Sequence, residues 1–195
     1  EELFEYFSAN QIEGVLDILN VKYILFEKEK GQKFIQNPNA MGNAWFVDSL
    51  FVAVDADGVL NKMKSLNFKN GAILLACEAP ENIKLTFSAD SLSRIHLTKA
   101  HPTRLEYKFN SSEEQMVVFS EMYYAHGWKS SIDGVEVEHF PVNYVLRGLN
   151  VPKGNHDIVF SFEPSVIKTG TSIRLLALVL FLGVILGALF KKYKR

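Results

Sequence analysis

The chain has 195 residues, of which 48% are hydrophobic and 22% charged, so it is neither disordered nor of low complexity. Its net charge of −1 is uneven: residues 171–195 hold five Lys and Arg and no acid, whereas residues 1–170 hold 22 acids against 16 bases. An acidic body has no general electrostatic means of binding nucleic acid, and a single cysteine, Cys77, excludes an internal disulfide and a multi-cysteine metal site. We expect Cys77 to be a small buried residue in a strand.

Residues 1–80 predict a small α+β subdomain. Helical spacing of apolar residues and short β-rich runs indicate the elements, and Asp57 is a plausible N-cap for the second helix. The predicted elements are a helix over 12–19, a strand over 21–26, an extended piece from 45, a helix after Asp57 and a strand over 72–77 buried on both faces.

Residues 81–165 predict an antiparallel β-sandwich, Ig-like but without a disulfide. Short segments in which apolar and polar residues alternate recur after Pro80. Asp133-Gly134 is the strongest two-residue hairpin turn, and 152–155 predicts a second turn.

Residues 171–190 predict one transmembrane α-helix, because twenty mostly apolar residues span roughly 30 Å, the thickness of a bilayer core. A buried core helix is the alternative, which the all-round apolar character disfavours.

The basic tail 191–195 predicts a cytoplasmic C-terminus with residues 1–170 outside, and a tail-anchored cytosolic protein is the topological alternative. Because the chain starts at Glu1 without a leader, we expect upstream transmembrane helices or a removed signal peptide. The expected interface anchors are Arg174, Lys191, Lys192, Lys194 and Arg195.

The sequence offers little catalytic chemistry. It contains no zinc, phosphate-binding, dinucleotide or serine-hydrolase motif, so we assign no catalytic residue, no metal and no cofactor. Aromatic rings near carboxylates, amides and Arg suit a glycan or lipid-headgroup site, although the same residues also serve as core and turn residues of a sandwich. These binding candidates are Glu121, Tyr123, Tyr124, His126, Trp128, Asn143, Tyr144 and Arg147.

Several motifs in a fixed order resemble the C-terminal region of the YfhO family of bacterial membrane proteins, from about Val21 to the last helix. They are Asn37-Pro-x-x-Met-Gly-Asn-Ala-Trp-Phe-Val47, Phe119-Ser-Glu-x-Tyr-Tyr-x-x-Gly-Trp-Lys129, Ile132-Asp-Gly134, Asn143-Tyr-Val-Leu-Arg-Gly-Leu149, Val151-Pro-x-Gly154 and Phe162-Glu-Pro164. Ala125-His126 departs from the family, where a Pro is expected before the Gly-Trp pair.

The resemblance implies a polytopic protein of the bacterial cytoplasmic membrane, similar to glycosyltransferases that use lipid-linked sugars and act on cell-envelope polymers. The catalytic acids of such proteins lie in loops that have no counterpart here. We therefore expect an extracytoplasmic module that supports glycosylation without catalysing it. Its expected partners are the lipid bilayer, upstream helices of the same protein, and a lipid-linked sugar or envelope glycan. The alternative is a non-catalytic module that binds envelope glycan or protein. An anchored hydrolase is a third hypothesis, but the sequence has no nucleophile–base arrangement to support it.

Overall fold

A computed structural model describes residues 13–28, 31–88 and 90–194. Within these residues there are three α-helices, thirteen strands and one short 3-10 turn. In chain order the elements are α1 (Glu13–Ile18), β1 (Tyr23–Lys28), β2 (Gly31–Gln36), β3 (Ala44–Val47), β4 (Ser49–Ala53), α2 (Ala56–Met63), β5 (Gly71–Leu75), the 3-10 turn (Ala76–Glu78), β6 (Arg94–His101), β7 (Arg104–Ser111), β8 (Gln115–Met122), β9 (Trp128–Ile132), β10 (Val135–Val137), β11 (Phe140–Val142), β12 (Leu146–Val151), β13 (Gly154–Phe162) and α3 (Ser165–Tyr193).

The front segment combines a β-hairpin with a parallel strand pair. β1 pairs with β2, and β4 runs parallel to β5, with α2 as the crossover between them. Asp55, and not Asp57, caps α2, because the Gly58 N–H donates to Asp55 Oδ1 at 2.7 Å. Asp57 lies in the first turn, where a carboxylate is favourable beside the helix N-terminus. The predicted helix after Asp57 is therefore present but begins earlier.

The predicted buried strand is confirmed as β5, whose first four residues are buried. The expectation for Cys77 is wrong, because β5 ends at Leu75 and Cys77 lies exposed in the following 3-10 turn. An apolar run thus continued two residues past the end of the strand.

Two antiparallel sheets form the predicted β-sandwich. The five-stranded sheet has the order β10-β9-β13-β7-β6, and the four-stranded sheet has the order β11-β12-β8-β3. A core of aromatic and branched side chains fills the space between them, including Tyr107, Phe119, Leu149 and Phe160. The predicted fold class, an α+β front followed by an antiparallel sandwich without a disulfide, is confirmed.

The front segment contributes a strand to the sandwich, because β3 pairs with β8. The opposite face of the four-stranded sheet packs on the front segment in a second core that includes Trp45, Leu74 and Val118. The Trp45 indole N–H donates to the Phe68 carbonyl at 3.0 Å within this layer. β8 is therefore covered on both faces, which explains its continuous apolar stretch. The predicted domain boundary at residue 80 stays a prediction. β3, before this boundary, is hydrogen-bonded to β8, after it.

The predicted turn at Asp133-Gly134 joins β9 to β10 as a two-residue hairpin. Both residues have positive φ, 51° and 83°, as the turn type that matches the twist of a hairpin requires. Gly154, at the end of the second predicted turn, also has a positive φ of 134°.

α3 has 29 residues, and Thr169–Gly187 is long and apolar enough to cross a membrane. None of this stretch is buried against the rest of the chain, which argues against a core helix. Arg174 lies within the stretch, about a turn and a half from its start. Lys191 and Lys192 lie in the last turn of the helix and Lys194 follows it, whereas Arg195 lies outside the described residues. Their role as interface anchors stays a prediction.

Candidate functional site

The predicted binding residues lie at the end of the sandwich where the membrane helix begins, which we call the membrane-proximal end. β13 ends at Phe162 and α3 begins three residues later. The 123–127 loop, between β8 and β9, and the 143–145 turn, between β11 and β12, meet at this end. The Tyr123 N–H donates to the Val145 carbonyl at 2.6 Å and joins the two segments.

The 123–127 loop packs against the junction of β13 and α3. The Glu163 N–H donates to the Gly127 carbonyl at 2.6 Å. Gly127 has a φ of 131°, and a Cβ there would lie 2.8 Å from Phe162 Cε2 and 3.1 Å from Pro164 Cβ. The Trp128 ring contacts Phe162, with centroids 5.3 Å apart. Only glycine allows this close approach, so the Gly-Trp pair fixes the loop on the base of the helix.

Arg147 points into the sandwich and is only 2% exposed. Its Nε–H donates to the Met122 carbonyl at 3.0 Å, and its guanidinium lies 4.1 Å from the Trp128 ring centre and 5.2 Å from that of Phe160. Burial lowers the pKa of Arg147, and the nearby Glu121 carboxylate opposes that shift. The side chain is therefore used in packing beneath Trp128, whose own ring is half-buried at the edge of the core.

Two further buried polar groups, Tyr107 and His139, lie near Arg147. The Tyr107 hydroxyl, His139 Nε2 and Arg147 Nη1 have no hydrogen-bond partner in the described part of the chain. Ser130 Oγ donates its hydrogen to the Val137 carbonyl at 2.6 Å. His139 Nδ1 lies 2.9 Å from the same Oγ, so Nδ1 carries a hydrogen and donates it to Ser130. Burial lowers the pKa of His139 to about 4, so at neutral pH its Nε2 is an acceptor.

Tyr107 and His139 are not among the residues predicted from the sequence. Tyr107 belongs to an ordinary alternating strand, and His139 is an isolated histidine, so neither pattern signals a buried polar cluster.

Asn143 and Tyr144 form the β11–β12 turn with left-handed backbone, at φ of 50° and 73°. Asn143 is fully buried and pairs with Ile73 of β5: its Oδ1 accepts the Ile73 N–H at 2.9 Å, and its own N–H donates to the Ile73 carbonyl at 2.8 Å. Tyr144 is 53% exposed. Asn143 therefore joins the front segment to the sandwich, whereas Tyr144 faces outward.

The remaining candidates are half-buried or exposed. Glu121 and Tyr123 are half-buried, His126 is exposed, and Tyr124 is 53% exposed. The Tyr124 ring contacts those of His126 and Phe162, at centroid distances of 5.8 and 6.5 Å. Tyr124, Trp128, Phe162 and Pro164 line a groove of about 580 Å³, and a smaller one of about 300 Å³ lies between Tyr123, Trp128 and His139.

A second concave surface of about 540 Å³ lies toward the opposite end of the five-stranded sheet, and we call it the distal polar surface. His156 Nδ1 lies 2.6 Å from Asp133 Oδ2, and Lys108 Nζ lies 2.6 Å from Asp157 Oδ1. The Asn110 amide donates to Asn155 Oδ1, and Arg94, His96 and Phe109 complete the lining.

Hydrogen bonding explains the charges at this surface. The hydrogen bond that His156 donates to Asp133 raises the pKa of His156. Two hydrogen bonds lower the pKa of Asp133: the larger effect comes from the bond that it accepts from the Asp157 N–H, and the smaller from the bond that it accepts from His156. No serine, threonine or cysteine is among the described residues that line this surface. No group of three or more metal-ligating side chains occurs in the described ranges either.

Together, the sandwich and its apolar terminal helix define a membrane-attached β-module whose motif residues build the membrane-proximal end. The family model described as bacterial membrane protein YfhO matches residues 79–174, just under half of the chain, from ahead of β6 into the membrane helix. Over these residues the chain is similar to the YfhO family of bacterial membrane proteins. The match confirms the resemblance, although the motif at Asn37–Val47 lies outside it. No curated protein and no solved structure gives a significant match.

Proposed function

We propose that this chain is the outer module and membrane helix of a glycosyltransferase-like bacterial membrane protein. In this proposal it supports the glycosylation of cell-envelope polymers and does not catalyse sugar transfer. Its similarity to the YfhO family and its single candidate span, among the described residues, support this function.

One observation carries the non-catalytic part of the proposal: the two buried polar side chains of the family-like motifs, Arg147 and Asn143, are used in structural contacts. Arg147 donates to the Met122 carbonyl beneath Trp128, and Asn143 pairs with Ile73. Sugar transfer from a lipid carrier needs an acid or base at the donor and groups that hold its phosphate. Residues held in this way have no free polar atom facing solvent to meet that need.

The test is sugar transfer by the purified 195-residue chain in detergent, with a lipid-linked sugar donor. We expect no turnover, and turnover by the chain alone would refute the proposal. In the full membrane protein, Arg147→Ala should lower activity only as far as it lowers the amount of folded protein. A folded, abundant and inactive Arg147→Ala protein would place the active site on this module.

We further propose that residues 1–170 lie outside the cytoplasmic membrane and the C-terminus inside, because the basic residues follow the span. Cys77 is exposed and is the only cysteine of the chain, so it reports the orientation directly. A membrane-impermeant maleimide should label Cys77 in intact spheroplasts and should not label a Cys77→Ser, Lys194→Cys variant. The reverse pattern would place the module in the cytoplasm.

The distal polar surface favours a second candidate function, binding of an envelope glycan by a non-catalytic module. Paired amides and charged groups on a concave sheet face suit hydroxyl-rich ligands. Asn110→Ala, which leaves the strand hydrogen bonds in place, should then abolish retention of the chain on immobilised envelope polymer. Ser112→Ala, next to the same strand but outside the surface, is the control. Equal retention of the two variants would exclude this function.

A further inference from the structure

Three turns of the sandwich meet at its membrane-proximal end. The 123–127 loop is bonded to the start of the helix through Gly127 and to the 143–145 turn through Tyr123. The turn between β6 and β7 is the third, since the Phe162 N–H donates to the Thr103 carbonyl at 2.9 Å. All three are thus held by backbone hydrogen bonds around the point where the chain leaves the sandwich.

This point lies at the outer edge of a lipid headgroup layer. Pro164 is five residues before Thr169, where the apolar stretch begins, which corresponds to about 7.5 Å along a helix. The headgroup region adds roughly 5–7.5 Å on each side of the hydrocarbon core. A tilted helix brings Pro164 closer to the core, so the turns packed on it meet the headgroups.

The side chains displayed there suit an interface between water and lipid. Tyr124 and Tyr144 are each 53% exposed, and Met122 and Val166 are exposed beside them. Tyrosine is enriched at membrane interfaces because its ring is apolar and its hydroxyl is polar.

The charged groups near these turns are largely paired. Arg104 bonds to Glu106 at 2.7 Å, and Lys129 bonds to Glu136 at 2.9 Å. These ion pairs leave the aromatic side chains as the main contact that the sandwich itself offers to lipid.

We propose that the surface formed by Met122, Tyr124, Tyr144 and Val166 binds the lipid headgroup layer itself. This contact holds the sandwich upright on the membrane. β13 then runs away from the bilayer, and its first residue, Gly154, lies about 26 Å beyond Phe162. The inference needs only the membrane span and stands whichever proposed function holds.

Depth-dependent fluorescence quenching tests the contact. The chain is reconstituted through its own helix into phosphatidylcholine vesicles that contain a headgroup spin label. In a Cys77→Ser background, Tyr124→Cys and Tyr144→Cys each carry an environment-sensitive fluorophore. Lys153→Cys, in the exposed turn before β13, is the matched control at the far end. We expect quenching several-fold stronger at positions 124 and 144 than at 153.

Quenching at positions 124 and 144 no stronger than at 153 would show that the sandwich stands clear of the membrane. Quenching confined to vesicles with anionic phosphatidylglycerol would refute the aromatic basis of the contact. Tryptophan fluorescence, from the buried Trp45 and from Trp128, checks folding of each variant. If Tyr124→Cys fails to fold, the exposed neighbour Ala125→Cys replaces it, with the same expected result.

Discussion

Asn143 joins the front segment to the sandwich. Two substitutions separate the contribution of its side-chain hydrogen bond to stability from that of its left-handed backbone. Asn143→Gly keeps the left-handed turn but leaves the buried Ile73 N–H without its acceptor, a loss of about 1–3 kcal/mol. The Asn143 Nδ2 group has no partner, so its removal places the loss toward the lower end of that range. Asn143→Ala makes the same deletion and adds about 1–2 kcal/mol, because alanine at a φ of 50° is strained.

The assay is urea unfolding of the full chain in detergent, followed by tryptophan fluorescence from Trp128 and from Trp45, which lies in the core beside β5. We expect stability to fall in the order wild type, Gly, Ala. If Asn143→Gly is as stable as wild type, the hydrogen bond from the Ile73 N–H does not stabilise the fold. If Asn143→Ala and Asn143→Gly have equal free energies of unfolding, backbone strain at this position adds nothing.

Three further predictions concern other parts of the sandwich. The Asp133 bond stabilises the fold while His156 is protonated, so its contribution is full below about pH 6.5 and is lost as pH rises through the raised folded pKa. His156→Gln should therefore flatten the pH dependence of the melting temperature, and an unchanged profile would contradict this. Arg147→Ala should destabilise by about 2–4 kcal/mol in urea unfolding, because it loses the stacking on Trp128 and leaves a carbonyl unpaired; a change below 1 kcal/mol would contradict it. Gly148→Ala should cost about 1–3 kcal/mol, since its Cβ would lie 2.6 Å from a core methyl group, whereas Gly134→Ala meets no neighbouring atom and tests strain alone.

Local patterns predicted the elements whose structure depends on local chemistry. Asp133-Gly134 predicted a hairpin because few residue pairs adopt two successive positive φ angles. The terminal helix followed from length and composition alone. The pairing of β3 with β8 could not be predicted, because an edge strand of four residues carries no local signal of a partner about seventy residues away.

The candidate site shows the same limit. Its residues flank two adjacent turns, and the structure brings them to one end of the sandwich, although whether they bind a ligand stays a prediction. The burial of Arg147 could not be predicted, since a strand sequence does not say which face an isolated charged residue occupies. The His156–Asp133 pair was missed because it joins a turn to a strand more than twenty residues away.

β3 lies in the front segment of the sequence but pairs with a strand of the sandwich, which has a consequence for biosynthesis. β3 is complete at residue 47, but β8 begins only at residue 115, so at bacterial synthesis rates β3 is without its partner for roughly 3–14 s. During this interval Ala44 and Phe46, which pack against the sandwich core in the finished protein, have no sandwich to cover them. Chaperones therefore meet an apolar strand that only later synthesis can cover, and slow translation between these positions should increase aggregation of the nascent chain.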